Sequence, residues 1–209
     1  MVIMDIMQTL IGKYDYNEPI ILKDVKLDGI SDENIRQIFS RLVKNGQIER
    51  YDQGVYYIPK VTPLGKSRIP ARKVYEKKFI SDQKSTFGFY TGLTLQNAIG
   101  LTSQVPNIIE IVTNREKSRL RELAVGNQKL RLRKARTTVT SRNVKTLQLL
   151  ELMNSLDVKQ LSDKEKLVLI NYVRSQNIRK NDITPYISNY PAKAAKNLIE
   201  SGIINELAP

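Results

Sequence analysis

Apolar side chains recur along this chain at two periods, and the change from one to the other marks its first unit of structure. Between Ser31 and Pro59, Ile35, Ile38, Phe39, Leu42 and Val43 fall at i, i+3, i+4, i+7 and i+8, one stripe of a 3.6-residue helix. Ser31 is placed to cap its start, and Asp32 and Glu33 bring negative charge to the positive end of the helix dipole. Asn45-Gly46 ends it, because glycine tolerates the left-handed conformation past a helix terminus. The period then falls to two: Gln47–Tyr51 and Val55–Ile58 predict short strands around a turn at Asp52-Gln53-Gly54. Upstream, residues 2–14 predict a helix with Ile3, Ile6, Met7, Leu10 and Ile11 on one face. Asn17-Glu18-Pro19 breaks it, and Ile20–Leu27 predicts a short strand followed by a second helix.

Helix, short helix, turn, helix, hairpin is the order of a winged helix-turn-helix, and it accounts for residues 1–60. Residues 61–73 read as a linker, with Pro63, Gly65 and Pro70 among scattered basic side chains. Gly65-Lys66-Ser67 imitates the end of a phosphate-binding loop, but Lys60 stands where the first glycine is required. Val74–Tyr90 mixes helix and turn signals. Beyond it, Leu93–Leu101 predicts a helix ended by Gly100, Ile108–Val112 a buried strand, and Lys129–Arg136 a strand with Leu130 and Leu132 on one face and Arg131 and Arg133 on the other. Three helices follow: Val144–Leu156 with a stripe of Leu147, Leu150 and Met153, one opening on the capping box Ser162–Glu165, and Ala192–Ser201 between Pro191 and Gly202.

Charge sharpens this division. The chain of 209 residues carries a formal net charge of +13, and it is unevenly spread. Residues 1–60 hold 8 basic and 9 acidic side chains, whereas residues 112–145 hold 11 and 2. A basic excess in one segment is the electrostatic footprint of a polyanion partner. It also means that the N-terminal unit alone supplies little non-specific attraction. With no cysteine and no histidine, disulfides, thiolate or imidazole metal sites and histidine-dependent catalysis are excluded. No run approaches the roughly 18 apolar residues of a membrane span, and the N-terminus lacks the pattern of a signal peptide. The expectation is a cytoplasmic, non-enzymatic protein with no cofactor.

Two groups of residues are candidates for nucleic-acid contact. The helix stripe turns Glu33, Asn34, Gln37, Ser40, Arg41 and Lys44 outward, with Arg36 beside them and Arg50, Tyr51 and Gln53 on the wing. Amides suit bidentate contact with adenine, and arginine or lysine suits guanine or phosphate. Glu33 repels phosphate unless it caps the helix or accepts from cytosine. The second group, Arg115, Lys117, Arg119, Arg121, Arg131, Arg133 and Arg136, would form a phosphate clamp or RNA patch if a rigid sheet gathers it. The plain alternative for each is a solvated face. The five carboxylates between 61 and 145, Glu76, Asp82, Glu110, Glu116 and Glu122, show no paired spacing for metal-dependent hydrolysis.

The run Gly54-Val55-Tyr56-Tyr57-Ile58-Pro59-Lys60, followed by Thr62-Pro63-Leu64-Gly65, resembles the wing and exit of AbiEi-type antitoxins of type IV, abortive-infection toxin–antitoxin systems. Asn97-Ala98-Ile99-Gly100-Leu101-Thr102-Ser103-Gln104 resembles the family's asparagine–leucine–glycine–leucine–threonine–threonine–glutamine stretch, with Ile99 for leucine and Ser103 for threonine. The likeness covers about residues 1–155. It implies a two-domain α+β protein: the winged helix at 1–60, the linker at 61–73, and a C-terminal antitoxin-like domain at 74–209, mixed α/β to about 145 and helical beyond. It further implies binding of inverted repeats in the protein's own promoter. The chain shows no heptad seam, so the expectation is a monomer that pairs on double-stranded DNA. The resemblance also implies opposition to a nucleotidyltransferase-like toxin without a stable complex. The alternatives are a nucleic-acid-binding regulator without a toxin, or a docking module for an acidic partner.

Overall fold

The computed structural model describes residues 2–208, with side chains from residue 6 onward. Helix α1 (Val2–Lys13) leads to a two-residue strand β1 (Ile20–Ile21), a single 3-10 turn at Leu22–Asp24, helix α2 (Asp32–Lys44) and the hairpin strands β2 (Glu49–Asp52) and β3 (Val55–Tyr57). The Ser31 hydroxyl caps α2 by accepting the Asn34 N–H at 3.3 Å, and Gly46 leaves it at φ 68°. The helical period buries Ile35, Phe39 and Leu42 against Ile6, Leu10, Ile20, Ile48 and Ile58, with Ile38 and Val43 half-buried at the margin. Phe39 meets the Tyr56 ring edge-on at 5.0 Å, a geometry that adds about 0.5–1.5 kcal/mol to the burial itself. Strand β1 pairs antiparallel with β3, Ile20 opposite Tyr56, so the sheet order is β1-β3-β2.

Three expectations change here. Ile11 is 43% exposed, so the buried face of α1 is narrower than its apolar spacing suggested; Ile3 lies outside the described side chains. The second helix expected within Ile20–Leu27 is only the 3-10 turn. Ile20 and Ile21 are spent on strand pairing, and Val25 already leaves the turn in extended geometry.

The stretch 61–73 is not a bare linker. It forms a second hairpin, β4 (Val61–Thr62) and β5 (Gly65–Lys66), and then the start of α3 (Ala71–Phe79). Ser67 fastens it: its hydroxyl donates to Asn17 Oδ1 at 2.6 Å and accepts the Lys60 N–H at 2.9 Å. Its carbonyl accepts from the Tyr57 hydroxyl at 3.2 Å. Lys66 reaches the carbonyl of Gly46 (2.9 Å) and the carboxylate of Glu49 (2.7 Å), at the foot of α2. The first compact unit accordingly extends to residue 78 and takes in residues 125–127.

The second unit comprises residues 79–124 and 128–209. Its elements are β6 (Gly88–Tyr90), α4 (Gly92–Ala98), β7 (Ile108–Thr113), β8 (Arg121–Val125), β9 (Gln128–Lys134), α5 (Val144–Ser155), α6 (Asp163–Gln176), α7 (Lys180–Ile183) and α8 (Ala192–Glu200). The sheet order is β6-β7-β9-β8, with β6 antiparallel to β7 and β7 parallel to β9. Leu130 and Leu132 are fully buried on one face, as the alternation predicts. On the other face Val112 and Phe89 join the core built around α5. Helix α5 is buried beyond a single stripe, since Leu149 and Leu152 are as inaccessible as Leu150 and Met153. Helix α8 closes on it: Asn197 donates to the carbonyls of Met153 (2.8 Å) and Leu156 (3.0 Å). The capping box of α6 forms at Ser162 and Glu165. The class is therefore α+β.

Because the Ser67 hydroxyl ties the part-buried Asn17 amide to the Lys60 N–H, Ser67→Ala is expected to cost about 1–2 kcal/mol, the penalty for stranding polar partners. Urea denaturation measures it; a residue in a bare linker would be neutral.

Candidate nucleic-acid interface

The α2 residues singled out by spacing share an outward surface. Asn34, Arg36, Gln37, Ser40, Arg41 and Lys44 are all exposed, as are Arg50 and Gln53 on the hairpin. Glu33 is exposed on the same helix, while its neighbour Asp32 is paired with Lys26 at 2.9 Å. That hydrogen bond, and the charge behind it, hold the Asp32 carboxyl below its ordinary pKa. Arg36 and Gln53 meet in a shallow cleft of about 380 Å³ between the first turns of α2, the 3-10 turn and the hairpin tip, with Lys23 and Lys78 on its rim. Tyr51 is half-buried on the hairpin. Its phenol lies against Gly126, so closely that a side chain at 126 would collide with it.

The basic segment is brought together by the sheet, and five of its arginines are paired within the fold. Arg115 stacks 3.5 Å over the Phe87 ring and pairs with Asp82 at 3.2 Å. Arg121 pairs with the buried Glu116 at 2.7 Å. Arg131 grips Glu122 through Nε at 2.8 Å and Nη2 at 2.7 Å. Arg133 sits beside Val112 in the parallel register, on the face that α5 covers. There it meets Glu151 at 2.9 Å, and Arg136 approaches the other carboxylate oxygen at 3.6 Å. Arg115, Arg121, Arg131 and Arg133 each thus carry an internal ion pair. Lys117, Arg119, Arg133, Lys134 and Arg136 line one cleft of about 630 Å³ with Glu151 at its wall.

Glu151, Lys134 and Asp82 were not among the sequence candidates. A signal existed for Glu151, the one charged residue in the Leu147–Met153 run of α5, where a charge needs a partner to be buried. Asp82 shows how such partners tune a carboxyl. Burial pushes its pKa up, but hydrogen bonds from the N–H groups of Lys84 and Ser85 and the Ser85 hydroxyl, with the Arg115 charge, outweigh this and lower it. Among the described residues no group of three His, Cys, Asp or Glu side chains is placed to hold a metal ion, and no helix is long and apolar enough to cross a membrane.

A family model described as a family of unknown function, DUF6088, matches residues 11–181. The chain belongs to the DUF6088 family. The matched span includes all of α2, both N-terminal hairpins and every residue of the basic cleft. A search of curated proteins finds no match.

Glu151→Gln is expected to cost about 1–2 kcal/mol in urea denaturation. The pair is buried on the carboxylate side only, and the partly exposed guanidiniums temper the loss. Asp82 generates a pH dependence. Its folded pKa lies below the unfolded value of about 3.9, so its stabilising effect is complete above about pH 4 and is lost as pH falls through the folded value. The stability gap between the wild type and Asp82→Asn should therefore be largest near neutrality and shrink below about pH 4 in acid-unfolding titrations.

Proposed function

We propose that this chain is a sequence-specific DNA-binding regulator that reads duplex DNA with α2 as the recognition helix of a winged helix and β2–β3 as its wing. The observation that carries the reading is the outer face of α2. Six polar or basic side chains, Asn34, Arg36, Gln37, Ser40, Arg41 and Lys44, stand exposed on one helix, and the other side of that helix is fixed by the Ile35–Phe39–Leu42 core. A rigid helix presenting amides and guanidiniums is what direct readout in a major groove requires. Gln37 and Asn34 are suited to adenine, Arg41 to guanine or phosphate. Arg36 and Gln53, at the mouth of the shallow cleft, are suited to the flanking backbone. Pairing on an inverted repeat would need no preformed dimer, because operator symmetry supplies the second copy.

The resemblance of Gly54–Lys60 and Asn97–Gln104 to AbiEi-type antitoxins extends the proposal. The chain represses its own promoter, in the cytoplasm, and counteracts a nucleotidyltransferase-like toxin encoded beside it. The neutral charge of residues 1–60 supports a further division, in which the N-terminal unit discriminates and basic residues elsewhere supply attraction.

The test is a titration of the full chain against the DNA upstream of its gene and against random duplex, at several salt concentrations. Gln37→Ala and Arg41→Ala should each weaken upstream binding by about 1–3 kcal/mol and relax sequence preference. Equal binding to both duplexes, unaffected by these changes, would overturn the recognition-helix assignment. A neighbouring nucleotidyltransferase gene whose toxicity this chain fails to relieve would remove the antitoxin part alone.

A further inference from the structure

The cleft in the second unit is a constructed site. It opens at the carboxyl ends of the parallel strands β7 and β9. The loop leaving β7 is pinned in two places. Asn114 exchanges hydrogen bonds with the backbone of Val139, donating to its carbonyl at 2.8 Å and accepting its N–H at 2.9 Å. The Glu116 carboxylate accepts the N–H groups of Lys117 (2.8 Å) and Ser118 (3.0 Å) and the Ser118 hydroxyl (2.6 Å). Lys117 and Arg119 are thereby held on a fixed rim. Across from them Glu151, 3% exposed, positions the guanidiniums of Arg133 and Arg136, and Arg136 also lies 5.4 Å over the Tyr190 ring. Arg133 Nε is buried there with no hydrogen-bond partner among the described residues.

We propose that this cleft binds a small polyphosphate anion of the nucleoside triphosphate class through its phosphates. Five cationic side chains face a single carboxylate, an excess of four positive charges. A single phosphate, at about −2, would leave half of that excess uncompensated; a chain of phosphates matches it. The volume of about 630 Å³ falls within the range of about 300–1,000 Å³ for small-molecule sites. No aromatic side chain lines the cleft to stack a base, so recognition falls on the phosphates. A concave cleft also suits a compact anion better than the convex backbone of a duplex. Guanidinium forks supply bidentate contacts, and the lysines add point charge.

The experiment is calorimetric titration of the full chain with inorganic triphosphate and separately with ATP. It compares the wild type, the exposed pair Lys117→Gln/Arg119→Gln, and the charge-matched control Lys129→Gln/Lys193→Gln, with circular dichroism confirming the fold of each. The expected result is one site per chain, competition between the two ligands, and at least a tenfold loss in the cleft variant with none in the control. Absence of saturable binding, or equal losses in both variants, would overturn the proposal. So would displacement of triphosphate by a short duplex whose own affinity falls by the same factor in the cleft variant, which would assign the cleft to a nucleic-acid backbone. None of these outcomes bears on the α2 reading, since no residue of α2 is changed.

Discussion

A chain with an excess of thirteen positive charges folds only if those charges are separated or neutralised where its elements meet. This constraint shapes the second unit. Residues 112–145 contain just two acids, Glu116 and Glu122, and both are consumed locally by Arg121 and Arg131. The remaining carboxylates are imported. Asp82, just before β6, takes Arg115, and Glu151 on α5 takes Arg133 and Arg136. Without Glu151, Arg133 would place a guanidinium against the core formed by Val112 and α5 with no counter-charge. Glu151 supplies that counter-charge from within the buried face of the helix.

The same constraint explains which parts of the molecule were legible from sequence. Local rules succeeded where local groups settle the structure. The Ser31 cap, the Gly46 exit, the Ser162–Glu165 box and the Leu130–Leu132 alternation are each decided within a few residues. They failed where a distant partner decides. Residues 61–73 have the composition of a linker, but Ser67 is held by Asn17, fifty positions away. The 3-10 turn at Leu22–Asp24 stays short because β3 recruits the isoleucines before it. The arginines were found as a group, yet their division into spent and available charge depends on Asp82 and Glu151, neither of which lies in the basic segment. Periodicity reports which face a side chain takes and says nothing of its counter-ion.

That division separates two surfaces of different character. The exposed face of α2 is rich in hydrogen-bonding groups and belongs to a unit whose first sixty residues are nearly neutral. The cleft beyond β7 and β9 is rich in charge, and no aromatic side chain is among its lining residues. A surface of the first kind distinguishes ligands by the pattern of donors and acceptors it offers. A surface of the second kind attracts anions through charge, an attraction that salt screens.

The family model spans both surfaces, from within α1 to α7, and stops short of α8. Yet α8 is no loose appendage, because Asn197 closes two carbonyls at the C-terminal end of α5, the helix that carries Glu151. Those carbonyls have no successor turn to accept from and are buried with the core, so leaving them open would be costly. The two capped residues, Met153 and Leu156, lie two and five positions beyond Glu151, on the same helix and at its exit. A change at Asn197 would therefore first loosen the end of α5, and through it the position of the carboxylate that orders Arg133 and Arg136. The cleft depends on a helix outside the matched span, through backbone groups rather than through any residue that lines it.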